Sequence, residues 1–310
     1  MRIAIAGSGG LGGFYGGLLA AAGHKVTFLA RGAHLAALQA KGLEVKSVHG
    51  DFRLFPVKAT SDPAEAGPAD LVLVCVKTPA LEAAAKAARA MVGPDGLVMG
   101  LQNGIDAAER IGAEVGLERV LGAVTWIAAN IESPGVIRQA SAFRRIVLGE
   151  LDGRDTERLK RTVAALRSTG ITVEPSGAIR KVIWTKFVFI AGFSGAGSVT
   201  RLEVGDYRLV PETRALMTRL MREVEALARA DGVDLDHGVV DQALAVIDGA
   251  AASMKTSMQR DVEAGRPSEL ESMIGVITRK ARALGIATPT ADLLYAALLP
   301  LELKAQRAGR

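Results

Sequence analysis

The chain has 310 residues, 49% of them hydrophobic and 23% charged, which is enough apolar material for a sizeable core and suits two domains better than one. Its net charge of +5 comes from basic residues interleaved with acids and not clustered with aromatics, which argues against a nucleic-acid partner and favours small anions. A single cysteine, Cys75, rules out an intrachain disulfide and suits a reducing, cytoplasmic setting, while four histidines without metal-ligand spacing predict no metal site.

Residues Arg2 to Ala6 form a short apolar strand, followed directly by Gly7-Ser8-Gly9-Gly10-Leu11-Gly12, a Gly-x-Gly-x-x-Gly turn. In a dinucleotide-binding fold Gly7 allows the tight turn, Gly9 admits a pyrophosphate to the backbone, and Gly12 lets the next helix pack on the strand. The anion then sits on the helix N-terminus, among unpaired N–H groups. Glycine-rich turns also serve as plain strand-to-helix connections, but here a helix over Leu11 to Ala22 and a second strand over His24 to Leu29 complete a β-α-β unit. The glycines interrupt the apolar N-terminus too early for a secretory signal, and no stretch reaches the ~18 uncharged apolar residues of a membrane span.

Further along, His34 to Lys41 reads as a helix, and Leu43 to Val48 with Phe52 to Val57 flank Gly50-Asp51 as a hairpin. Asp70 to Val76 is a continuous apolar run, the form of a parallel strand covered on both faces. Lys77-Thr78-Pro79 and an alanine-rich helix to Met91 come next. Leu97 to Leu101 is another buried strand, ending in Gln102-Asn103-Gly104, with a helix over Ile105 to Val115 behind it. Strands are expected over Val120 to Ala128, Gly135 to Gln139, Arg145 to Leu148 and Ile171 to Glu174, with a helix over Thr156 to Ser168.

From Gly177 the pattern becomes helical to the end, so residues 1–176 and 177–310 read as an α/β Rossmann-type domain with a mainly parallel sheet and an all-α domain. Within the second, Ser268-Glu269-Leu270-Glu271 has the form of a capping box, with Ser268 as N-cap and Glu271 at its third position. Met273, Ile274, Ile277, Ala281 and Leu284 form the apolar stripe of that helix, Gly285 closes it, and Pro289 prevents its continuation.

The second strand ends Thr27-Phe28-Leu29-Ala30-Arg31. NAD sites place an acid near this point to hold the ribose 2′-hydroxyl, whereas NADP sites place a cation there. The acid is absent and Arg31 takes its place, which favours NADP. Lys77, past the end of an adjacent strand, is a second candidate for the nucleotide phosphate; both are otherwise ordinary loop cations.

Six segments together resemble one family: the glycine turn, Arg31, Val76-Lys77, Gln102-Asn103-Gly104, Ile183-Trp184-Thr185-Lys186-Phe187, and the long ungapped run from Ser257 to Glu269. They are similar, in order and over nearly the whole chain, to the ketopantoate reductases (2-dehydropantoate 2-reductases). The resemblance implies NADPH-dependent reduction of 2-dehydropantoate to pantoate, toward pantothenate and coenzyme A, in a cleft between two domains, the second like the C-terminal domain of 6-phosphogluconate dehydrogenase. By the same resemblance Lys186 is the general acid, Glu269 pairs with it or with a substrate hydroxyl, Asn103 lies near the nicotinamide ribose and substrate, and Ser257 holds the substrate carboxylate. The chemistry needs such a lysine, because hydride arriving at a keto carbon builds negative charge on oxygen that an ammonium can stabilise and protonate. Lys186 stands alone among Trp184, Phe187, Val188 and Phe189, where a lysine without a task would be a snorkelling side chain.

The pattern departs from the family in the substrate positions. Ile190 and Ser194, four and eight residues after Lys186 on one helix face, stand where well-known members carry asparagines, and Ile274 replaces a further one. An isoleucine there leaves a facing hydroxyl unpaired at about 1–3 kcal/mol, so a more apolar 2-oxo acid is an alternative substrate. A non-catalytic NADP-binding regulator is a further alternative, opposed by the retention of Lys186 and Glu269. The partners expected are a small 2-oxo acid and NADP, with neither nucleic acid nor membrane, and a homodimer is compatible with apolar helical faces.

Overall fold

The computed structural model describes residues 1–308 and divides into two compact units, one built from 1–102 with 107–179, the other from 103–106 with the chain from 180 onward. The first contains strands β1 (Arg2–Ala6), β2 (Lys25–Leu29), β3 (Leu43–Lys46), β4 (Phe52–Leu54), β5 (Lys58–Thr60) and β6 (Ala69–Val74). It continues with β7 (Val92–Gly100), β8 (Val120–Trp126), β9 (Ala129–Ser133), β10 (Val136–Gln139), β11 (Arg145–Glu150) and β12 (Thr172–Pro175).

Eight strands form one sheet in the order β12-β11-β8-β7-β6-β1-β2-β5, parallel throughout except where β11 runs against β8. β6 reads Ala-Asp-Leu-Val-Leu-Val and all but its aspartate is buried, as helix cover on both faces of a parallel strand requires. The register aligns the strand ends. Ala6 pairs with both Leu29 and Val74, and Val74 pairs with Gly100, so the segments after β1, β2, β6 and β7 leave the sheet at one edge.

The hairpin around Gly50-Asp51 is present as β3 and β4, but it belongs to a second sheet, β4-β3-β10-β9. The helix Gly10–Ala21 lies between the two sheets. A Cβ on Gly16 would meet the Phe28 ring at 2.6 Å on one side, and on Gly13 it would meet Ile137 at 2.6 Å on the other. This close double contact explains why a buried helix is so rich in glycine despite glycine's low helix propensity.

Among the described residues the second unit has no strand. Its helices are Ile179–Thr200, Val204–Tyr207, Pro211–Ala230, Val239–Asp248, Ser257–Glu263, Val276–Leu284 and Pro289–Ala308, with a π-helical turn at Glu271–Gly275. The helix Ile179–Thr200 is long and apolar enough to cross a membrane by length and composition, yet Trp184, Phe187, Val188, Ala191, Phe193 and Ala196 bury it in the core of this unit. Gly285 closes its helix in the left-handed conformation at φ 69°, and Pro289 begins the next one, where its missing N–H costs nothing.

Candidate active site

Three glycines of the opening turn are required for three different reasons. Gly7 has φ +100°, and a Cβ there would stand 2.4 Å from Val76 Cγ1. At Gly12 a Cβ would be 2.0 Å from the Gly7 carbonyl oxygen and 2.8 Å from Ile5 Cγ2, so the helix could not close on β1. At Gly9 a Cβ would meet nothing within 4 Å, so its absence leaves open space and not a packing contact. Gly9 is also the N-cap of the helix Gly10–Ala21, with no side-chain cap and no acid in the first turn, which leaves the helix N-terminus free for an anion. This open, uncapped cradle fits a dinucleotide pyrophosphate.

Three members of the motif do other work. Ser8 is buried, and both its hydroxyl, at 2.9 Å, and its N–H, at 3.3 Å, donate to Leu29 O, so its donors fasten the turn to β2 and are not presented to a ligand. Leu11 packs into the core of the first unit, and Gly10 would drive a Cβ to 2.2 Å from Ala129 O. Their part is to shape the turn.

Arg31 comes after β2 at the same sheet edge, exposed, as the N-cap of the helix Gly32–Lys41. Lys77, also exposed, comes after β6 there. Between β6 and β7 the Gln102 amide donates to Val74 O at 2.9 Å and Val76 O at 3.1 Å, tying the strand ends together.

The sequence pattern assigns Asn103 to the nucleotide-binding half, but its contacts place it in the helical unit, with 103–106. There Lys186 Nζ donates to Asn103 Oδ1 at 2.9 Å, and Asn103 Nδ2 donates to Glu269 Oε2 at 3.3 Å. Only one amide orientation serves both neighbours, because the ammonium can only donate and the carboxylate only accept. Gly104, at φ +111°, lets this loop settle against the helical unit, since a Cβ there would lie 3.0 Å from Ser272 O. Lys186 is half-buried on its apolar helix, and loss of water pulls its pKa from 10.5 down to about 8, although the Glu269 carboxylate acts in the opposite direction. The result is an ammonium poised to lose a proton near neutral pH beside a buried carboxylate.

Glu269 is buried, and its carbonyl accepts from Met273 N at 2.9 Å, Ser272 N at 3.2 Å and Ser272 Oγ at 3.1 Å. The capping box does not form. Ser268 donates its hydroxyl to Glu302 Oε2 at 2.6 Å, and Glu271 turns to Arg279 and Tyr295 and not back to Ser268. The Ser268 hydroxyl still accepts from Leu270 N at 3.3 Å, but the Ser268 N–H that the box would give to Glu271 donates to Glu302 Oε2 at 2.9 Å, so a buried carboxylate on a neighbouring helix replaces the Glu271 half of the box.

The remaining expected residues are not brought together with this chain of hydrogen bonds. Ser257 is exposed at the start of the helix Ser257–Glu263, behind Thr256, whose hydroxyl caps that helix by accepting from Gln259 N at 3.2 Å. Ile190 is half-buried on the Lys186 helix, whereas Ser194 is buried. Ile274 is fully buried in the core, where its Cδ1 packs 3.5 Å from the place of a Gly195 Cβ, so it is a packing residue. Sequence reasoning missed Ser272, whose only signal is its spacing three residues beyond Glu269.

Comparison with known proteins bears on this arrangement. The family described as "Ketopantoate reductase PanE/ApbA" matches residues 3–153, and "Ketopantoate reductase PanE/ApbA C terminal" matches residues 178–302. The chain is 30% identical to a 2-dehydropantoate 2-reductase of Halobacterium salinarum over the full length of both. A crystal structure of 2-dehydropantoate 2-reductase from Geobacter metallireducens superimposes with a TM-score of 0.89 at 34% identity, covering 97% of this chain and 99% of that one. D-mandelate dehydrogenase, solved with NADH and anilino(oxo)acetate, shares the fold at a TM-score of 0.87 and 21% identity, with 99% of each chain covered.

Proposed function

Since the chain belongs to the ketopantoate reductase family of oxidoreductases, we propose that it reduces 2-dehydropantoate to pantoate with NADPH, using Lys186 as general acid. The observation that carries this reading is the chain Lys186–Asn103–Glu269, with the lysine pKa drawn down to about 8. A general acid works best with a pKa near the operating pH, and an ordinary surface lysine is a poorer proton donor. The nicotinamide, when bound, supplies the hydride. Lys186 donates its proton to the carbonyl oxygen as that oxygen becomes a hydroxyl, and solvent returns the proton afterwards. Asn103 holds the ammonium in place, and Glu269 favours its charged form. Gly9 and the uncapped helix N-terminus hold the pyrophosphate, and Arg31, with Lys77, meets the 2′-phosphate that distinguishes NADP from NAD.

A second substrate reading rests on Ile190, an apolar side chain four residues from Lys186 on the same helix face. It favours a 2-oxo acid with an apolar substituent, and the fold shared with a D-mandelate dehydrogenase is compatible with such a substrate. NADPH oxidation measured with a panel of 2-oxo acids distinguishes the two. Turnover of ketopantoate well above all others supports the first reading, preference for an aryl or branched-alkyl 2-oxo acid supports the second, and turnover of none contradicts both.

A further inference from the structure

The turn immediately after Glu269 is not α-helical. Over Glu271–Gly275 the helix widens to a π-turn, and Val276 N–H reaches back to Glu271 O, five residues away. Such a turn holds one residue more than an α-turn, so it rotates everything before it by roughly 100° relative to everything after it. The segment after the turn is fixed, because Val276, Ile277 and Ala281 are buried in the core. The segment before it carries Glu269. The π-turn therefore sets the direction in which Glu269 leaves the helix.

The side chains around the turn explain why it stays open. Arg279 donates to the Glu271 carboxylate through one guanidinium nitrogen and to the Glu271 carbonyl oxygen through another, at 3.2 Å. Tyr295, from the helix Pro289–Ala308, donates its hydroxyl to the other carboxylate oxygen. Both oxygens and the backbone carbonyl of one residue are thus held from two different helices. Gly275 makes room for this grouping: a Cβ there would lie 2.8 Å from Glu271 Oε2, 2.9 Å from Arg279 Nη1 and 3.0 Å from Tyr295 Cε2.

We propose that Glu271, Arg279 and Tyr295 form a clamp that keeps the π-turn open and thereby aims the Glu269 carboxylate at Asn103. They are positioning residues, and none is bonded to Lys186, Asn103 or the Glu269 side chain. The same turn also seats the Asn103 loop, since Ser272, one residue past Glu271, is the group against which Gly104 closes. Releasing the clamp lets the turn relax toward α-geometry and carries Glu269 away from the Asn103 amide. The inference rests on the reading of Lys186 and Glu269 as a working pair.

The test uses the full-length enzyme with NADPH and its best 2-oxo acid, comparing Tyr295→Phe and Arg279→Lys with Glu269→Gln. Tyr295→Phe removes a single hydroxyl and spares the fold. Both clamp variants are expected to lose about 10- to 100-fold in kcat, as misplacing a catalytic group by an ångström or more does, with the NADPH KM unchanged. They are also expected to shift the alkaline limb of the pH profile to lower pH, as Glu269→Gln does, because Lys186 loses its carboxylate neighbour. If Glu269→Gln shifts the limb and the clamp variants, folded by circular dichroism, do not, the clamp is overturned. If Glu269→Gln leaves the limb unmoved, the working pair itself is wrong, and the clamp with it.

Discussion

Lys186 Nζ and Asn103 Oδ1 stand 2.9 Å apart, and the same asparagine carries its amide nitrogen to Glu269, so an acid and a base communicate through one neutral side chain. The arrangement keeps the ammonium charged enough to donate while burial brings its pKa down to about 8.

This pKa gives the pH dependence its sign. In the proposed mechanism the reduction uses the protonated lysine, so kcat/KM is expected to be level below about 8 and to fall as pH rises through that value. Glu269→Gln removes the influence that raises the Lys186 pKa, and the limb is expected to move lower. A pH profile for each protein checks this; a limb that moves upward contradicts it.

Arg31 tests the cofactor. Losing one charge-assisted contact to a 2′-phosphate costs about 1.5–3 kcal/mol, so Arg31→Ala is expected to raise the NADPH KM roughly 10- to 100-fold. The NADH KM should not change. Parallel titrations of the two cofactors measure the difference, and equal effects on both contradict the assignment.

Two neighbouring glycines should fail in opposite ways. Gly12→Ala forces a Cβ to 2.0 Å from a backbone oxygen and is expected to cost about 2–3 kcal/mol of stability. Gly9→Ala meets no protein atom within 4 Å, so it should melt like the parent while losing affinity for NADPH. Thermal melts and cofactor fluorescence titration separate the two effects.

Arg201 comes directly after the last residue of the helix Ile179–Thr200 with φ 59°, a left-handed conformation that favours glycine, and its N–H closes the helix onto Gly197 O at 2.8 Å. Arg201→Gly is expected to stabilise the protein by about 0.5–1 kcal/mol, the relieved strain exceeding the added chain entropy of the unfolded state. The midpoint of urea unfolding reports it.

Much of this molecule is legible in its sequence, for identifiable reasons. The β1 turn, the buried β6 run and the helical second half announce themselves because backbone geometry and double-sided burial restrict residue choice. β9, reading Ala-Asn-Ile-Glu-Ser, and β5, reading Lys-Ala-Thr, do not, since both are short, largely polar strands stabilised by their sheet partners. At the site, Lys186 is conspicuous as a lone charge among aromatics. The π-turn beside Glu269 is not, because it is held by Arg279 and Tyr295, contacts set by tertiary packing. The same cause misleads at Ser268, whose local pattern promises a reciprocal capping box with Glu271, and at Ile274, whose place in a motif suggests a pocket while packing puts it in the core.

NADPH-dependent reduction of a 2-oxo acid by the Lys186→Ala variant tests the role of this lysine most directly. Turnover is expected to fall on the order of 10²- to 10⁴-fold with NADPH binding retained. Turnover close to that of the parent, with the protein folded and NADPH bound, would contradict Lys186 as the general acid.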